Sequence, residues 1–205
     1  MGHKFAELAF TPNVKAIQEQ QGSRSSYARL ESGETRNGLL GAGEAEFIGA
    51  RDSFYMATVG ETGWPYIQHR GGPEGFVRVL DEKTLGFADY RGNRQYVSVG
   101  NLSANDRVSM FFMDYPNRTR LKLLGRVSLV DSADAALLER LEVPGYRAIV
   151  ERAILVTVEA FDWNCPQHIT PRFTLEVIER ANAGLRNRIA DLEAELARLH
   201  AISSI

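Results

Sequence analysis

Short apolar segments, separated by turn residues, fill the middle of the chain and constrain its fold more than any other feature. They lie between Ser53 and Phe161 and are rich in aromatic and β-branched residues, as strands are. Several alternate apolar with polar residues, and turns such as Gly60–Gly63 join them. The pattern predicts a mainly β fold, an antiparallel barrel of six or seven short strands with few helices. The predicted strands are Ser53–Val59, Trp64–His69, Phe76–Leu80, Thr84–Asp89, Val108–Met113, Leu121–Val130 and Ala153–Phe161.

A few helices are expected around these strands. They run from Gly43–Glu44 to about Ala50, from about Asn93 to Leu102, and through Ala135–Leu138 after an N-cap at Asp131 or Ser132. The glycines at the start of the first helix do not form a dinucleotide-binding fingerprint, because the third glycine and a preceding apolar strand are missing.

The chain divides into three expected regions. Residues 1–43 form an N-terminal arm that we predict to be irregular, with a polar, linker-like stretch at Gln18–Ser26. Residues 44–172 form the barrel domain, and residues 173–205 form a C-terminal helix.

The C-terminal helix carries a heptad repeat. Seven of its eight core positions are apolar, and the exception is Asn182, a residue type that can fix the register of a coiled coil. Arg188 at position g and Glu193 at the following position e are placed for an ion pair between chains. Because the apolar seam is narrow, a coiled coil or another helix–helix dimer contact is favoured over an amphipathic helix that lies on its own barrel. The a positions are Leu175, Asn182, Ile189 and Leu196, and the d positions are Ile178, Leu185, Leu192 and Leu199.

Composition excludes several classes of protein. With 44% hydrophobic and 24% charged residues, the chain is neither collagen-like, nor low in complexity, nor largely disordered. The net charge of -2 argues against non-specific nucleic-acid binding, and no apolar run is long enough to cross a membrane. The N-terminal residues lack the apolar core of a secretory signal, and the single cysteine cannot form an internal disulfide. We therefore expect a cytoplasmic protein.

Cys165 and His168 are the candidate catalytic residues. Their C-x-x-H spacing could supply two metal ligands, but a structural zinc site needs about four and no second pair follows, so no metal site is predicted. Cys165 could instead be a thiolate nucleophile, or an inert cysteine. The serine-hydrolase elbow G-x-S-x-G and the metalloprotease pattern H-E-x-x-H are both missing.

A basic stretch, Asp89–Gln95, leaves a predicted strand and enters a predicted helix. Free N–H groups at a helix start, with Arg91 and Arg94 beside them and Asn93 as a cap, would bind an anion. From Trp64 to Arg126 there are ten basic and six acidic residues, a balance that suits a small anionic ligand. The alternative, that these are solvated surface arginines, stays open.

The order of these segments resembles the pyridoxamine 5'-phosphate oxidase-like family of FMN-binding split β-barrels. The resemblance covers about Ala45 to Arg172, and the region from Val158 to His168 resembles a subgroup described only as flavin-nucleotide-binding. The segments that carry it are Phe54–Val59, Gly63–Arg70, Leu85–Asp89, Gly92–Gln95, Asn105–Phe112 and Leu123–Val127.

The resemblance implies a homodimer with two FMN molecules at the subunit interface. The flavin ring would lie along the strand that ends at Gly71, the phosphate would lie near Arg94, and Trp163 and Arg172 would reach the flavin from the other subunit. The implied cofactor-binding residues are Gln68, His69, Arg70, Gly71, Asp89, Tyr90, Arg91, Asn93, Arg94, Gln95, Arg120, Lys122, Trp163 and Arg172.

The chain departs from the true oxidase in its flavin strand, Gln68–Pro73, and lacks the arginine–histidine substrate motif near the C-terminus. FMN binding is therefore better supported than oxidation of a vitamin B6 phosphate. The leading hypothesis is an FMN-dependent oxidoreductase with an unidentified small substrate. The alternatives are a flavin- or haem-binding carrier or sensor, with His69 or His168 as an iron ligand, and an interaction module that acts through its C-terminal helix.

Overall fold

The fold is described from a computed structural model, which covers residues 2–32, 35–131, 134–163 and 166–203. The strands are β1 (Gly2–His3), β2 (Thr35–Arg36), β3 (Ser53–Val59), β4 (Pro65–Gly71), β5 (Val77–Val79), β6 (Thr84–Tyr90), β7 (Arg107–Asp114), β8 (Thr119–Asp131) and β9 (Val150–Trp163). The helices are α1 (Lys4–Ala9), α2 (Pro12–Gln20), α3 (Arg24–Ala28), α4 (Ala42–Gly49), α5 (Val97–Ala104), α6 (Ala135–Leu141) and α7 (Leu175–Ser203), and a 3-10 turn covers Arg29–Glu31.

Seven antiparallel strands form one sheet, in the order β4-β3-β7-β8-β9-β6-β5. The sheet is curled. Arg70 on edge strand β4 forms an ion pair with Asp89 on β6, which lies near the opposite edge. The two edges are joined by side chains and not by a strand ladder, so the barrel is open along this line. The predicted mainly β fold with six or seven antiparallel strands is confirmed, since the sheet has seven. Two of its strands, β8 and β9, have 13 and 14 residues and are longer than predicted.

Alternation along the strands separates the core from the outer face of the sheet. In β3, Phe54 and Met56 are buried and Tyr55 points outward. The ring of Phe54 lies 5.8 Å from that of Phe76 and 5.2 Å from that of Phe112, measured between centroids. Close aromatic packing of this kind fixes the positions of the strands that carry the candidate site.

Gly125 lies where the pairing of β8 with β9 shifts by one residue. A Cβ atom there would lie 2.6 Å from Cγ1 of Val156 and 2.8 Å from the carbonyl oxygen of Thr157. We therefore expect Gly125→Ala to lower the free energy of unfolding by about 2 kcal/mol, as overpacked cores do. Urea unfolding of the full chain measures this. Gly184→Ala is the control, because nothing lies within 4 Å of that added Cβ and alanine favours a helix. Equal stability of the Gly125→Ala protein and the parent would contradict the packing described here.

The N-terminal arm is helical, so the predicted irregular structure is wrong for its described residues. Thr11 and Pro12 begin α2, since the Thr11 hydroxyl accepts a hydrogen bond from the N–H of Val14. Both Lys15 and Arg24 place a side-chain nitrogen 2.8 Å from the Glu31 carboxylate. These ion pairs lower the pKa of Glu31 to about 2. The polar residues predicted as a linker therefore end α2 and form α3.

Two predicted helix starts differ from the structure. The helix expected from Asn93 begins only at Val97, because Arg94 and Tyr96 have left-handed φ angles of 60° and 53°. Asn93 therefore does not cap it. The N-cap of α6 is Asp134, whose carboxylate accepts a hydrogen bond from the N–H of Leu137 at 3.0 Å; the cap expected at Asp131 is wrong, and Ser132 lies outside the described residues.

The helix α7 does not bury its apolar seam against its own barrel. The seven apolar side chains of the seam are 41–78% exposed. The alternative of an amphipathic helix that lies on the barrel is therefore wrong, and pairing with another helix stays a prediction. Within the described ranges, no helix combines the length and apolar character needed to cross a membrane.

Candidate functional site

A cleft of about 250 Å³ opens where the barrel is split, between β4, β6 and the start of α5. It is bordered by strand ends, a loop and a helix N-terminus, the places where loops carry function on a rigid scaffold. Its lining residues are Tyr66, Gln68, Arg70, Asp89, Tyr90, Gly92, Asn93, Arg94, Gln95, Tyr96, Val97, Ser98, Val99 and Glu151.

The β4 wall of the cleft follows from strand alternation. Gln68 pairs with Met56 and Arg70 pairs with Phe54, both core residues, so these polar side chains point to the inner face at the open side of the barrel. The Ser98 hydroxyl donates a hydrogen bond to Oε1 of Gln68 at 2.7 Å. This bond ties the start of α5 to β4 and orients the Gln68 amide.

The floor of the cleft is a buried ion pair. Arg70 donates to Oδ1 of Asp89, and the two side chains are 11% and 9% exposed. Arg152 on β9, directly opposite Asp89 in the ladder, places its Nε 3.4 Å from Oδ2. The Nε of Arg70 is buried and has no hydrogen-bond partner among the described residues. An unsatisfied buried donor of this kind is uncommon in folded proteins.

The rim of the cleft holds Glu151 among basic side chains. Arg91 donates to its carboxylate at 3.0 Å, the Tyr96 hydroxyl donates at 3.1 Å, and the Nε of Arg94 lies 3.9 Å away. Pairing of β6 with β9 shifts between Asp89 and Tyr90, which leaves Glu151 as the extra residue of a β-bulge. Bulges re-aim side chains beside functional sites, and this one turns Glu151 towards the cleft.

Partial burial alone would raise the pKa of Glu151. Hydrogen bonds from Arg91 and Tyr96, with the attraction of Arg91 and Arg152, outweigh it and hold the pKa below its ordinary value. Glu151 is therefore an anion at neutral pH.

The cluster has a clear excess of positive charge. Four guanidinium groups, on Arg70, Arg91, Arg94 and Arg152, surround two carboxylates, those of Asp89 and Glu151, so the net charge is four minus two, +2. Arg94 is 62% exposed and its Nε donates to the Tyr96 hydroxyl at 2.9 Å. An exposed guanidinium with a neutral partner can turn to a ligand at little cost.

The loop from Gly92 to Tyr96 presents backbone donors to the same cleft. Asn93 accepts a hydrogen bond from the N–H of Gln95 at 3.2 Å, which stabilises a local turn. The two left-handed residues that follow cost on the order of 1–2 kcal/mol each, strain of a kind that clusters at ligand sites. The first N–H groups of α5 have no partner within the helix and face an anion favourably.

Half of the expected cofactor-binding residues line this one cleft. They are Gln68, Arg70, Asp89, Tyr90, Asn93, Arg94 and Gln95, and Arg91 joins them through Glu151.

Other expected cofactor-binding residues lie outside the cleft, several on the outer face of the sheet. His69 packs edge-on against Tyr55 with ring centroids 5.5 Å apart. Four remaining side chains contact aromatic or acidic neighbours: Arg120 lies 5.7 Å from the ring of Phe111, Lys122 lies 3.3 Å from Asp162, Arg172 lies 4.9 Å from the ring of Tyr115, and Trp163 donates to Glu44 at 2.8 Å. Gly71 is exposed at the end of β4.

Of the two candidate catalytic residues, the structure describes only His168. Cys165 lies outside the described residues, and His168 is exposed with a left-handed φ of 61°. Among the described residues, no group of three or more His, Cys, Asp or Glu side chains is placed to hold a metal ion.

Sequence reasoning missed Glu151, Arg152, Tyr96 and Ser98. Ser98 and Tyr96 follow the basic stretch closely. Had the helix been predicted to begin at Val97, both residues would have been placed at its N-terminus and in the predicted anion site. Glu151 and Arg152 precede a long apolar strand, and only the pairing of that strand with β6 brings them to the cleft.

Comparisons with known proteins agree with this fold. Residues 43–163 match the family model for pyridoxamine 5'-phosphate oxidase. Among solved structures, a protein related to general stress protein 26, of the pyridoxinephosphate oxidase family, from Clostridium acetobutylicum is 21% identical, over 65% of this chain and 92% of that one, with a TM-score of 0.43. The General Stress Protein 26 from Bacillus anthracis is 13% identical, over 63% and 92%, with a TM-score of 0.45. A FAD-binding protein from Mesorhizobium loti is 16% identical, over 61% and 94%, with a TM-score of 0.43. No curated protein matches the sequence.

The match to the family model covers more than half of the chain and confirms the resemblance drawn from its motifs. The protein belongs to the pyridoxamine 5'-phosphate oxidase family.

Proposed function

We propose that the protein binds FMN through this cleft and is a flavin-dependent oxidoreductase that acts on a small substrate. The observation that carries the proposal is the cluster of four guanidinium groups and two carboxylates at the open cleft, because its net charge of +2 is opposite to the charge of nearly -2 on a phosphate monoester. Two of the guanidinium groups and both carboxylates line the cleft, and Arg91 and Arg152 pair with the carboxylates from beside it. The first N–H groups of α5, which no side chain caps, supply further donors.

Within this proposal, Arg94 and the start of α5 bind the phosphate, and Gln68 and Arg70 hold the cofactor along β4. When bound, FMN supplies two-electron redox chemistry. The chain positions it: the bond from Ser98 fixes the Gln68 amide, and the Arg70–Asp89 ion pair fixes the strand edges on both sides of the cleft.

A homodimer with the cofactor at the subunit interface is part of the proposal. The outer face of β3 and β4 exposes Tyr55 and Ile67, and the turn between the two strands exposes Trp64, so three large apolar side chains are open to a second copy. His69 lies among them, and Arg120 lies farther along the same face of the sheet. A second copy packed on this face would place the outer-face side chains of one chain beside the cofactor of the other, with no rearrangement of either chain.

The absorption spectrum of the purified protein tests cofactor binding. We expect the visible absorption bands of a bound flavin, either at once or after FMN is added to the apoprotein. A colourless protein that takes up no added FMN would end the proposal. The rate of NAD(P)H oxidation, with dioxygen as the electron acceptor, then separates an enzyme from a flavin carrier. An enzyme oxidises many molecules of NAD(P)H per bound flavin at a steady rate, and a carrier does not.

Glu151 offers a test of the charge argument. Because its carboxylate holds Arg91 and repels a phosphate, we expect Glu151→Gln to tighten FMN binding by about two- to fivefold, the range for one charge pair at the protein surface. Riboflavin, which lacks the phosphate, should bind equally to both proteins. Fluorescence quenching measures both affinities, and weaker FMN binding in the variant would show that Glu151 serves the cofactor and not the arginines.

A further inference from the structure

We infer that α7 pairs with α7 of a second copy of this chain as a parallel, in-register, two-stranded coiled coil. The surface is the apolar seam of α7, whose seven apolar side chains are 41–78% exposed. The opposite side of the helix carries small and polar residues, with Val177 as its one large apolar residue, and an ion pair from Arg180 to Glu176 at 2.8 Å. A single line of large apolar side chains is the pattern of a helix that pairs along that line.

Charge complementarity favours a second copy in parallel orientation. In a parallel pair, position g of one helix faces the following position e of the other. Arg188 then faces Glu193 of the second copy, and Glu195 faces His200 of the second copy. Both pairings are attractive when the histidine is protonated, and the first is attractive at any pH near neutrality.

The antiparallel arrangement brings like charges together. With the helices fully overlapped, Leu175 lies opposite Leu199, and positions g face g while positions e face e. Arg188 then meets Arg188 of the second copy, and Arg186 meets its own counterpart. Glu179 also meets Glu193, so this arrangement is opposed at three places where the parallel one has attraction or neutral contact.

Asn182 selects the same arrangement. In a parallel, in-register pair the two Asn182 side chains lie opposite each other and can hydrogen-bond across the seam. In the antiparallel pair each would face Leu192, and its amide would be buried without a partner. A single asparagine at an a position is also the feature that favours two strands over three or four.

The length of α7 is sufficient for such a pair. Its 29 residues span four heptads and about 44 Å. This helix leaves its seven apolar seam positions exposed within its own chain, and isolated helices in water are marginal. Burial of the seam against a second copy would supply that packing.

Cysteine cross-linking in the full-length protein tests the pairing directly. In a Cys165→Ser background, which removes the single native thiol, we expect Asn182→Cys to form a disulfide between chains under mild oxidation by oxygen, in nearly all molecules. The matched control is Ala183→Cys, one residue along on the outer side of the helix, which should cross-link at least tenfold more slowly. Equal rates at the two positions would overturn the proposal. Cross-linking of Asn182→Cys to a Leu192→Cys chain, and not to itself, would overturn the parallel orientation.

A charge exchange gives an independent readout. The equilibrium between the Asn182→Cys disulfide and its thiols in a glutathione buffer reports how strongly the two helices are held together. We expect Arg188→Glu to weaken this about three- to tenfold, and the double variant Arg188→Glu/Glu193→Arg to restore it. An equilibrium that Arg188→Glu leaves unchanged would contradict the pairing of Arg188 with Glu193 of the second copy, and with it the parallel, in-register arrangement.

Seam and surface can also be separated by adjacent residues. Ile178 at a d position and Val177 beside it are 42% and 41% exposed, so exposure alone does not distinguish them. Ile178→Asp should abolish cross-linking at position 182, and Val177→Asp should leave it unchanged. The result does not depend on FMN, because cross-linking of a colourless protein would support the coiled coil while it removes the proposed function.

Discussion

Replacing Arg94 with alanine is expected to weaken FMN binding by about 10- to 100-fold, the loss that follows when a hydrogen bond to a charged group is removed. Arg94 lines the cleft, is 62% exposed, and has a neutral tyrosine hydroxyl as its nearest acceptor. Its guanidinium can therefore turn to a phosphate without breaking a strong ion pair. The change should leave the free energy of unfolding nearly unaltered, because little packing is lost.

The comparison of FMN with riboflavin makes this result specific. Both ligands carry the flavin ring, and only FMN carries the phosphate, so the Arg94→Ala protein should bind riboflavin as the parent does. Arg29→Ala, which removes an exposed arginine of the N-terminal arm, should change neither affinity. Isothermal titration of the apoproteins gives all six values. Equal losses for FMN and riboflavin would place Arg94 at the ring and contradict the proposed phosphate site.

A second variant separates the backbone of Arg94 from its side chain. Glycine at this position removes the same donor and accepts the left-handed φ of 60° without strain. Arg94→Gly should therefore bind FMN as weakly as Arg94→Ala, and be more stable by about 1 kcal/mol.

Local sequence patterns were sufficient for one wall of the cleft. Alternation along β4 places Gln68 and Arg70 on one face, and the basic stretch after β6 follows it directly in the chain. Because these residues depend only on strand period and short connections, the sequence predicts both segments. It does not predict which side of the strand His69 takes relative to the core, and the structure turns that ring outward against Tyr55.

The opposite wall depends on information that no local pattern carries. Glu151 and Arg152 reach the cleft through the pairing of β6 with β9, strands about sixty residues apart in the chain, and through a bulge that shifts the register there. A slip of one residue would turn both side chains to the other face. The start of α5 could not be predicted for a related reason. The left-handed φ angles of Arg94 and Tyr96, which delay that start, arise from the tertiary setting of the loop, since neither residue prefers them.

The same reasoning explains the N-terminal arm and α7. Most residues of α2 and α3 are polar, so composition favours a linker. The ion pairs of Glu31 with Lys15 and Arg24 become visible only when the segments are packed. In α7 the heptad is local and strong, and the helix was predicted. The heptad pattern does not identify the surface that covers the seam, because that surface lies on another chain. The cross-linking experiments therefore test the partner of α7.

Replacing Arg70 with methionine is expected to lower the free energy of unfolding by about 3 kcal/mol, because it leaves the Asp89 carboxylate buried with a reduced set of partners. Asp89 is 9% exposed and would keep Arg152, whose Nε lies 3.4 Å from Oδ2. The residual attraction places the expected cost at the lower end of the range for a broken buried pair. Urea unfolding of the apoprotein measures it without interference from cofactor binding.

The double variant Arg70→Met/Asp89→Asn distinguishes stability from binding. Since it removes the buried charge together with its partner, it should recover a large part of the lost free energy, as buried ion pairs replaced as a unit do. It should nevertheless bind FMN weakly, because the guanidinium donors of Arg70 beside β4 are gone. A change in electrostatic attraction cannot explain the weaker binding, because the net charge of the cluster stays the same. A double variant that is stable and binds FMN as tightly as the parent would show that the Arg70–Asp89 pair serves only to join β4 to β6. Weak binding in a protein of recovered stability would assign the Arg70 guanidinium itself to the cofactor.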